Sequence, residues 1–126
     1  MMANSNAHLQ KGKTAEDQAC DYLQRKGLRL IEKNYTCRLG EIDLIMEDKH
    51  HIVFVEVRSR TRTDYGSALE SVTPAKIKKI IKTAIHFLQI KKWLYTTSSR
   101  FDIIAIHPVN GEIQLDWIQN AFSAIW

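Results

Sequence analysis

The stretch GEIDLIMEDKHHIVFVEVRSR, residues 40–60, carries charged side chains at regular positions within two apolar runs. Glu41 and Asp43 interrupt the first run, and Glu56 and Arg58 interrupt the second. Successive side chains of a strand point to opposite faces. A hairpin with its turn centred on Asp48-Lys49 therefore brings all four charges to one corner of a sheet.

The register of this hairpin follows from keeping the apolar residues together. It pairs Asp43 with Phe54 and Glu41 with Glu56. One face is then a continuous apolar surface, formed by Ile42, Leu44, Met46, Val53, Val55 and Val57. The other face is apolar near the turn and charged at the far end.

Three carboxylates at one corner repel one another. Like charges directly opposite across a ladder cost up to roughly 1 kcal/mol, and burial raises the cost or protonates one group. A divalent cation would offset the repulsion, and carboxylate oxygens on a rigid element suit Mg²⁺ or Mn²⁺. A solvated sheet end with Arg58 as counter-ion explains the same residues, so the hairpin by itself leaves both interpretations open.

Glu16 lies on the apolar side of the first predicted helix. At about 100° per residue it falls between Gly12 and Cys20, away from the solvated positions of Asp17 and Asp21. A carboxylate on a core-facing stripe needs a partner. Glu16 is therefore expected either to reach the acidic corner or to extend to water from the edge of the stripe.

The rest of the chain supplies the elements that position these residues. A helix is predicted from about Ala7 to Lys26, with Gly27 at its C-cap. Thr73-Pro74, an N-cap followed by proline, starts a second helix that ends near Lys92. Strands are predicted at LRLIEKNY (28–35), in the hairpin, and at RFDIIAI (100–106) and EIQLDWI (112–118). We therefore predict one α/β domain over residues 1–126, with a mixed sheet packed between helices and a flexible N-terminus at residues 1–6.

The composition is that of a soluble protein with a basic surface. A net charge of +4 and a pI near 9.1 are compatible with nucleic acid as a partner. Arg58, Arg60 and Arg62 are candidate phosphate contacts, whereas the lysines of the second helix are assigned to a solvated face. Cys20 and Cys37 lack a metal or redox spacing, and no segment has the pattern of a signal peptide or membrane span. We expect a cytoplasmic protein without a membrane partner.

The acidic pattern resembles that of the PD-(D/E)XK nuclease superfamily, with an acidic residue on a helix, an Asp on a strand and Glu-x-Lys on the next strand. The resemblance implies that Asp43 and Glu56 hold Mg²⁺ or Mn²⁺, with Glu16 completing the ligand set and the Val57 carbonyl as a further ligand. Arg58 stands at the position of the motif lysine. Arginine stays protonated and cannot act as a general base, although it can hold a phosphate oxygen.

A closer resemblance extends over nearly the whole chain. The segments GKTAEDQACDYLQRKG, NYTCRLGEIDLIMED, FVEVRSR, YGSALESVTPAKIKKI, RFDIIAI and NAF are together similar to the YraN-type family of small bacterial proteins. The resemblance implies a restriction-endonuclease-like fold, with three α/β/α layers around a central mixed sheet. Members of this family carry arginine at the position of Arg58, and Lys76 matches their basic residue on the second helix. Lys76 is expected either to replace the motif lysine or to be an ordinary residue at the edge of the helix stripe.

The resemblance implies a Mg²⁺-dependent bacterial endonuclease that binds and cleaves DNA phosphodiesters in DNA processing or repair. Its candidate catalytic residues are Asp43, Glu56, Arg58, Glu16 and Lys76, and Arg58 and Lys76 are also candidate DNA contacts. One alternative is a catalytically weak nucleic-acid-binding module of the same fold that serves a partner enzyme. Another is a structural protein without salt-dependent DNA binding. A homodimer would suit the cleavage of two strands.

Overall fold

The computed structural model describes residues 14–59 and 70–123 of the chain. Its elements, in chain order, are α1 (Ala15–Arg25), β1 (Arg29–Cys37), β2 (Gly40–Asp48), β3 (His51–Ser59), α2 (Pro74–Lys91), β4 (Ser98–Val109) and β5 (Glu112–Phe122). The predictions made for Gly12, Arg60 and Arg62 lie outside the described residues.

The five strands form one sheet in the order β1-β2-β3-β4-β5. The pairs β1–β2, β2–β3 and β4–β5 are antiparallel, and β3–β4 is parallel. A parallel pair needs a crossover, and α2 lies within it. The two helices pack on different core clusters, α1 against one face of the sheet and α2 against the other. The predicted α/β architecture, with helices flanking a mixed sheet, is confirmed.

The start of α1 is set by a capping threonine. Thr14 has an extended backbone (φ −73°, ψ 165°), and its side chain accepts a hydrogen bond of 3.1 Å from the Asp17 amide. The prediction of a helix that continues through this position is therefore wrong at Thr14, which the apolar period alone does not reveal. The other end of α1 is as predicted, because Gly27 has the positive φ of 100° that a residue after a helix end often adopts.

Both ends of α2 follow from local sequence. Thr73 accepts a hydrogen bond of 3.2 Å from the Lys76 amide, and Pro74 occupies the first turn, as predicted. The helix closes at Lys92, which is left-handed with φ 62°. Its buried face consists of Ile80, Ile81, Thr83, Ala84, Phe87 and Leu88. Ile77 is half-buried at the edge of this face.

The β2–β3 hairpin differs from its predicted register by two residues. Asp48 pairs with His51 and Ile45 pairs with Phe54, so the turn is formed by residues 49 and 50. The predicted pairs of Asp43 with Phe54 and of Glu41 with Glu56 are therefore wrong. A slip of two residues keeps each side chain on its face, which is why the hydrophobic pattern could not detect it.

The two faces of the hairpin are nearly those predicted. Leu44, Met46, Val53, Val55 and Val57 pack in the cluster that α1 covers. Ile42 was predicted to join them but lies in the α2 cluster instead. The alternation of β2 fails at Asp43, between Ile42 and Leu44, directly beyond the last paired residues of the β2–β3 ladder.

The remaining strands differ from the predicted ones only at their ends: β1 begins at Arg29 rather than Leu28 and continues to Cys37, and β4 and β5 extend beyond the predicted segments. Cys20 and Cys37 are both free thiols. Neither helix among the described residues is long and apolar enough to cross a bilayer.

Candidate functional site

Two acidic side chains lie where the β2–β3 ladder ends. The last pair of that ladder joins Leu44 to Val55, and Asp43 and Glu56 are the next residue on each strand. Asp43 Oδ2 accepts a hydrogen bond of 2.8 Å from the backbone amide of Val57, the neighbour of Glu56. The two carboxylates therefore share one end of the hairpin, as the spacing predicts, although the neighbour of Glu56 across the strands is Asp43 rather than Glu41.

The environment of Asp43 favours its protonated form. Burial raises the pKa of Asp43 from 3.8 to about 7, and the negative charges of Glu56, Glu16 and Glu41 contribute to this rise, against the opposing effect of the Val57 amide. A carboxyl group that is difficult to ionise without a cation nearby is typical of functional sites, and it also occurs in structural networks.

Glu56 is the charged centre of the site. It is 6% exposed, and its Oε2 atom lies 3.2 Å from Arg58 Nη1 and 3.0 Å from Lys76 Nζ. Arg58 is held at a second point, because its Nε donates a hydrogen bond of 3.1 Å to Ser71 Oγ. A buried carboxylate with two cationic partners is electrostatically satisfied in the metal-free protein.

The acidic residues form part of an open cleft with a volume of about 660 Å³. Asp43, Glu56 and Glu41 contribute the acidic side chains of this cleft. The start of α2 forms one wall through Thr73, Ala75, Lys76, Lys79 and Ile80. The β1–β2 turn forms another through Thr36, Cys37, Arg38, Leu39 and Gly40. The cleft is therefore acidic at its base and basic on the α2 wall.

The structure brings together four of the predicted site residues, namely Asp43, Glu56, Arg58 and Lys76. Glu16 lies half-buried in the first turn of α1 and is not among the residues that line the cleft, although its charge contributes to the raised pKa of Asp43. The Val57 side chain packs in the α1 cluster while its amide holds Asp43.

Two basic residues that line the cleft, Lys79 and Arg38, were not predicted as part of the site. Lys79 was assigned to a solvated helix face, but it follows Lys76 by three positions, and this spacing places side chains on one side of a helix. That spacing was a usable signal. Arg38 gave no comparable signal, because its position depends on how the β1–β2 turn meets α2.

The donor set fits a hard divalent cation in part. Among residues 14–59 and 70–123, no group of three or more His, Cys, Asp or Glu side chains converges in a way that would hold a metal ion. Mg²⁺ commonly uses one or two protein carboxylates and keeps several waters, which leaves room for phosphate oxygens. Asp43 and Glu56 supply two carboxylates beside an open cleft, so the pair meets this smaller requirement.

A second polar network lies away from the cleft. Asp102 is fully buried and accepts hydrogen bonds from Arg100 Nε at 3.1 Å, from Trp117 Nε1 at 2.9 Å and from the Asn120 amide at 3.0 Å. Arg100 also donates to Asp48 at 3.0 Å. These contacts join β2, β4 and β5 in a structural network.

The fold and the cleft define an α/β domain consistent with the restriction-endonuclease-like class. Residues 15–106 match the model of the Uncharacterised protein family UPF0102, and the chain belongs to that family. This is the YraN-type family that the sequence motifs indicated, so that prediction is confirmed.

Relatives align over most of their length. The chain is 47% identical over 115 residues to a UPF0102 protein of Nitrosococcus oceani, which covers 91% of this chain and 93% of the relative. It is 46% identical over 118 residues to a UPF0102 protein of Pseudomonas fluorescens, and this alignment covers 94% of the chain and 97% of the relative. It is 48% identical over 114 residues to one of Vibrio parahaemolyticus, covering 90% and 93%. These similarities establish the family.

Proposed function

We propose that this protein hydrolyses phosphodiester bonds of DNA, using a divalent cation held by Asp43 and Glu56. The observation that carries the proposal is that these two carboxylates share a cleft with the ammonium group of Lys76. Carboxylates that bind a hard cation, beside a cation that binds phosphate, form an arrangement suited to phosphodiester chemistry. The net charge of +4 favours association with a polyanion.

Each residue has a distinct part in this proposal. A bound Mg²⁺ or Mn²⁺ would supply a Lewis acid for the phosphate and lower the pKa of a bound water. Asp43 and Glu56 would hold that cation, and the Glu16 carboxylate and the Val57 carbonyl remain predicted additional ligands. The Val57 amide fixes the orientation of the Asp43 carboxylate through its 2.8 Å hydrogen bond.

The contacts support different parts for the two basic residues. Arg58 is bound at two points, to Glu56 and Ser71, and is 24% exposed. This suits a residue that keeps Glu56 in place. Lys76 contacts Glu56 and is 43% exposed, so its ammonium group is accessible to a substrate phosphate. We assign the part of the motif lysine to Lys76, with Arg58 as the fixed counter-ion.

A cleavage assay tests the proposal. The full chain is incubated with labelled duplex, single-stranded and branched DNA in the presence of Mg²⁺ or Mn²⁺. We expect divalent-dependent cleavage that is lost in Asp43→Ala and Glu56→Ala and retained in Asp17→Asn, a control that removes an exposed carboxylate from α1. Cleavage that survives in both cleft variants would contradict the proposed site.

The division between the basic residues has its own measurement. Lys76→Ala is expected to lower the cleavage rate by about 100-fold or more, because it removes a charge that acts on the transition state. It is expected to lower the unfolding temperature less than Arg58→Ala does, because the Lys76 side chain is 43% exposed and has, among the described residues, no second partner like the Ser71 contact of Arg58. Arg58→Ala is expected to lower the unfolding temperature as well, because it removes a fixed partner of buried Glu56. Equal effects of the two variants on both quantities would contradict the assignment.

A second function is a nucleic-acid-binding module without catalysis. The observation that favours it is that Glu56 Oε2 already contacts both Arg58 and Lys76. A carboxylate neutralised in this way has less need of a metal ion. The alternative predicts no rise in the unfolding temperature with Mg²⁺ or Mn²⁺, whereas a cation that binds the folded state raises it by mass action. It also predicts DNA binding that weakens with salt.

A further inference from the structure

The lysines at the start of α2 separate into two pairs. Lys76 and Lys79 line the acidic cleft. Lys78 and Lys82 line a different groove, whose apolar residues include Ile77 and Ile81. The pairs therefore have similar charge and share one helix, but they face different surfaces of the protein.

The β1–β2 turn is held directly against α2 beside Lys79. A Cβ atom placed on Gly40, which has φ 155°, would lie 2.8 Å from Thr83 Oγ1 and 3.9 Å from Lys79 Cβ. No side chain larger than that of glycine fits this contact without movement. The close approach carries the preceding residues, Arg38 and Leu39, to the wall of the cleft next to Lys79.

The exposed groups on this wall have the chemistry of a nucleotide contact. Arg38 can donate two parallel hydrogen bonds to phosphate oxygens, and Lys79 adds a point charge. Leu39 is 38% exposed and offers an apolar surface to a sugar or base. The acidic base of the cleft repels a polyanion, so cations on the wall are needed to hold a strand there.

We infer that Arg38, Leu39 and Lys79 form a nucleotide subsite that binds a backbone phosphate adjacent to the one at Asp43 and Glu56. The ligand class is a nucleic acid strand, held without sequence preference. The location of the subsite next to the reacting phosphate rests on the proposed function. The binding of phosphate by the subsite does not rest on the proposed function, because its contacts involve neither the Asp43 nor the Glu56 carboxylate and need no metal ion.

The test measures binding in the absence of divalent ions. Anisotropy of a labelled single-stranded oligonucleotide is recorded with the full chain in EDTA over a range of salt concentrations. Arg38→Ala and Lys79→Ala are each expected to weaken binding about tenfold at low salt. Each is also expected to reduce the slope of log K against log salt by about 0.7, the loss of one phosphate contact. Lys82→Ala, the matched control, is expected to leave the slope unchanged.

A further variant tests the position of the β1–β2 turn without changing the charge of the protein. Gly40→Ala removes no charge, yet its Cβ would displace the turn from Thr83, so it is expected to weaken binding as Arg38→Ala does. Arg38 is exposed, so its variant keeps the result interpretable if Gly40→Ala unfolds. Any of three results would overturn the subsite. The first is an equal loss of affinity in Lys79→Ala and Lys82→Ala, and the second is an unchanged slope of log K against log salt in Arg38→Ala. The third is no binding of the oligonucleotide by the unmodified chain. If cleavage is never observed while the slopes change as expected, the subsite stands and the nuclease proposal fails.

Discussion

Replacing Asp43 by asparagine is expected to stabilise the metal-free protein at alkaline pH. Burial beside other acidic groups raises the pKa of Asp43 from 3.8 to about 7. The unfolded chain therefore loses this proton at a lower pH than the folded chain does. Between those two values the folded state binds more protons, so the stability of the protein falls as pH rises, and the full cost is present above pH 7. An asparagine side chain cannot ionise and escapes this cost, while its oxygen can still accept the hydrogen bond from the Val57 amide.

The size of the effect follows from the pKa change. A change from 3.8 to about 7 corresponds to about 4 kcal/mol at 1.36 kcal/mol per pKa unit. Asp43 lies in an open cleft where water screens the charges, so we reduce this to about 2 kcal/mol. That amount is a substantial fraction of the total stability of a small domain, which is on the order of 10 kcal/mol.

Urea unfolding of Asp43→Asn and the unmodified protein, at about pH 5 and about pH 8.5 in EDTA, measures the effect. The variant is expected to be more stable at the higher pH, and its advantage is expected to shrink at the lower pH. Added Mg²⁺ is expected to stabilise the unmodified protein more than the variant, because the ionised carboxylate is the better ligand.

Two outcomes would refute this reasoning. If the Asp43→Asn variant is less stable than the unmodified protein at high pH, the charge of Asp43 is already compensated in the folded state. An advantage that is equal at both pH values would mean that something other than ionisation, such as a new amide hydrogen bond, causes the gain.

The remaining predictions concern charges outside the cleft. Asp102→Asn is expected to destabilise the protein by about 3 kcal/mol, because it removes a fully buried charge that accepts hydrogen bonds from Arg100 and Trp117 and leaves Asp48 as the remaining charged partner of Arg100. A loss below about 1 kcal/mol in urea unfolding would contradict the structural network. Asp17→Asn is expected to cost at most about 1 kcal/mol near neutral pH, since its 2.5 Å pair with Lys33 is exposed. The hydrogen bond from Lys33 lowers the pKa of Asp17, so the stability that this pair contributes is lost as pH falls through the pKa of Asp17 in the folded state. This pH dependence is opposite in sign to that expected for Asp43. A larger loss near pH 2 than near pH 7 would contradict that sign.

The sequence predicts the elements well where a local signal exists. Thr73-Pro74 marks the start of α2, and Gly27 marks the end of α1, because caps and glycine act through the nearest turn of the backbone. The apolar period does not mark the start of α1 at Thr14, although threonine is a good N-cap, because the period continues through this residue. Periodicity reports which side of a segment is buried and does not by itself mark where a helix begins or stops.

The hairpin shows a different limit. Two registers that differ by a slip of two residues bury the same face. The hydrophobic pattern alone therefore cannot distinguish the predicted turn at Asp48-Lys49 from the observed turn at residues 49 and 50. The turn residues decide, and here Lys49 takes the left-handed conformation with φ 60°, which a lysine does not reveal in advance. Ile42 changed faces although it remains paired with Tyr35, because the alternation fails at the neighbouring position, where Asn34 of β1 has a positive φ of 55° and Asp43 interrupts the apolar residues of β2.

The candidate site combines both kinds of information. Asp43 and Glu56 could be brought together from strand alternation, because the slip in register preserves the end of the hairpin at which they lie. The contact of Lys76 with Glu56 depends on how α2 is placed over the sheet, and no spacing within the sequence encodes that distance. The presence of Arg38 and Lys79 on one cleft depends further on Gly40, where the absence of a side chain permits the close approach of the β1–β2 turn to Thr83. The acidic half of the cleft can therefore be predicted from the alternation of residues in the β2–β3 hairpin. Its basic wall cannot, because that wall forms only where α2 and the β1–β2 turn, which are distant in sequence, pack together.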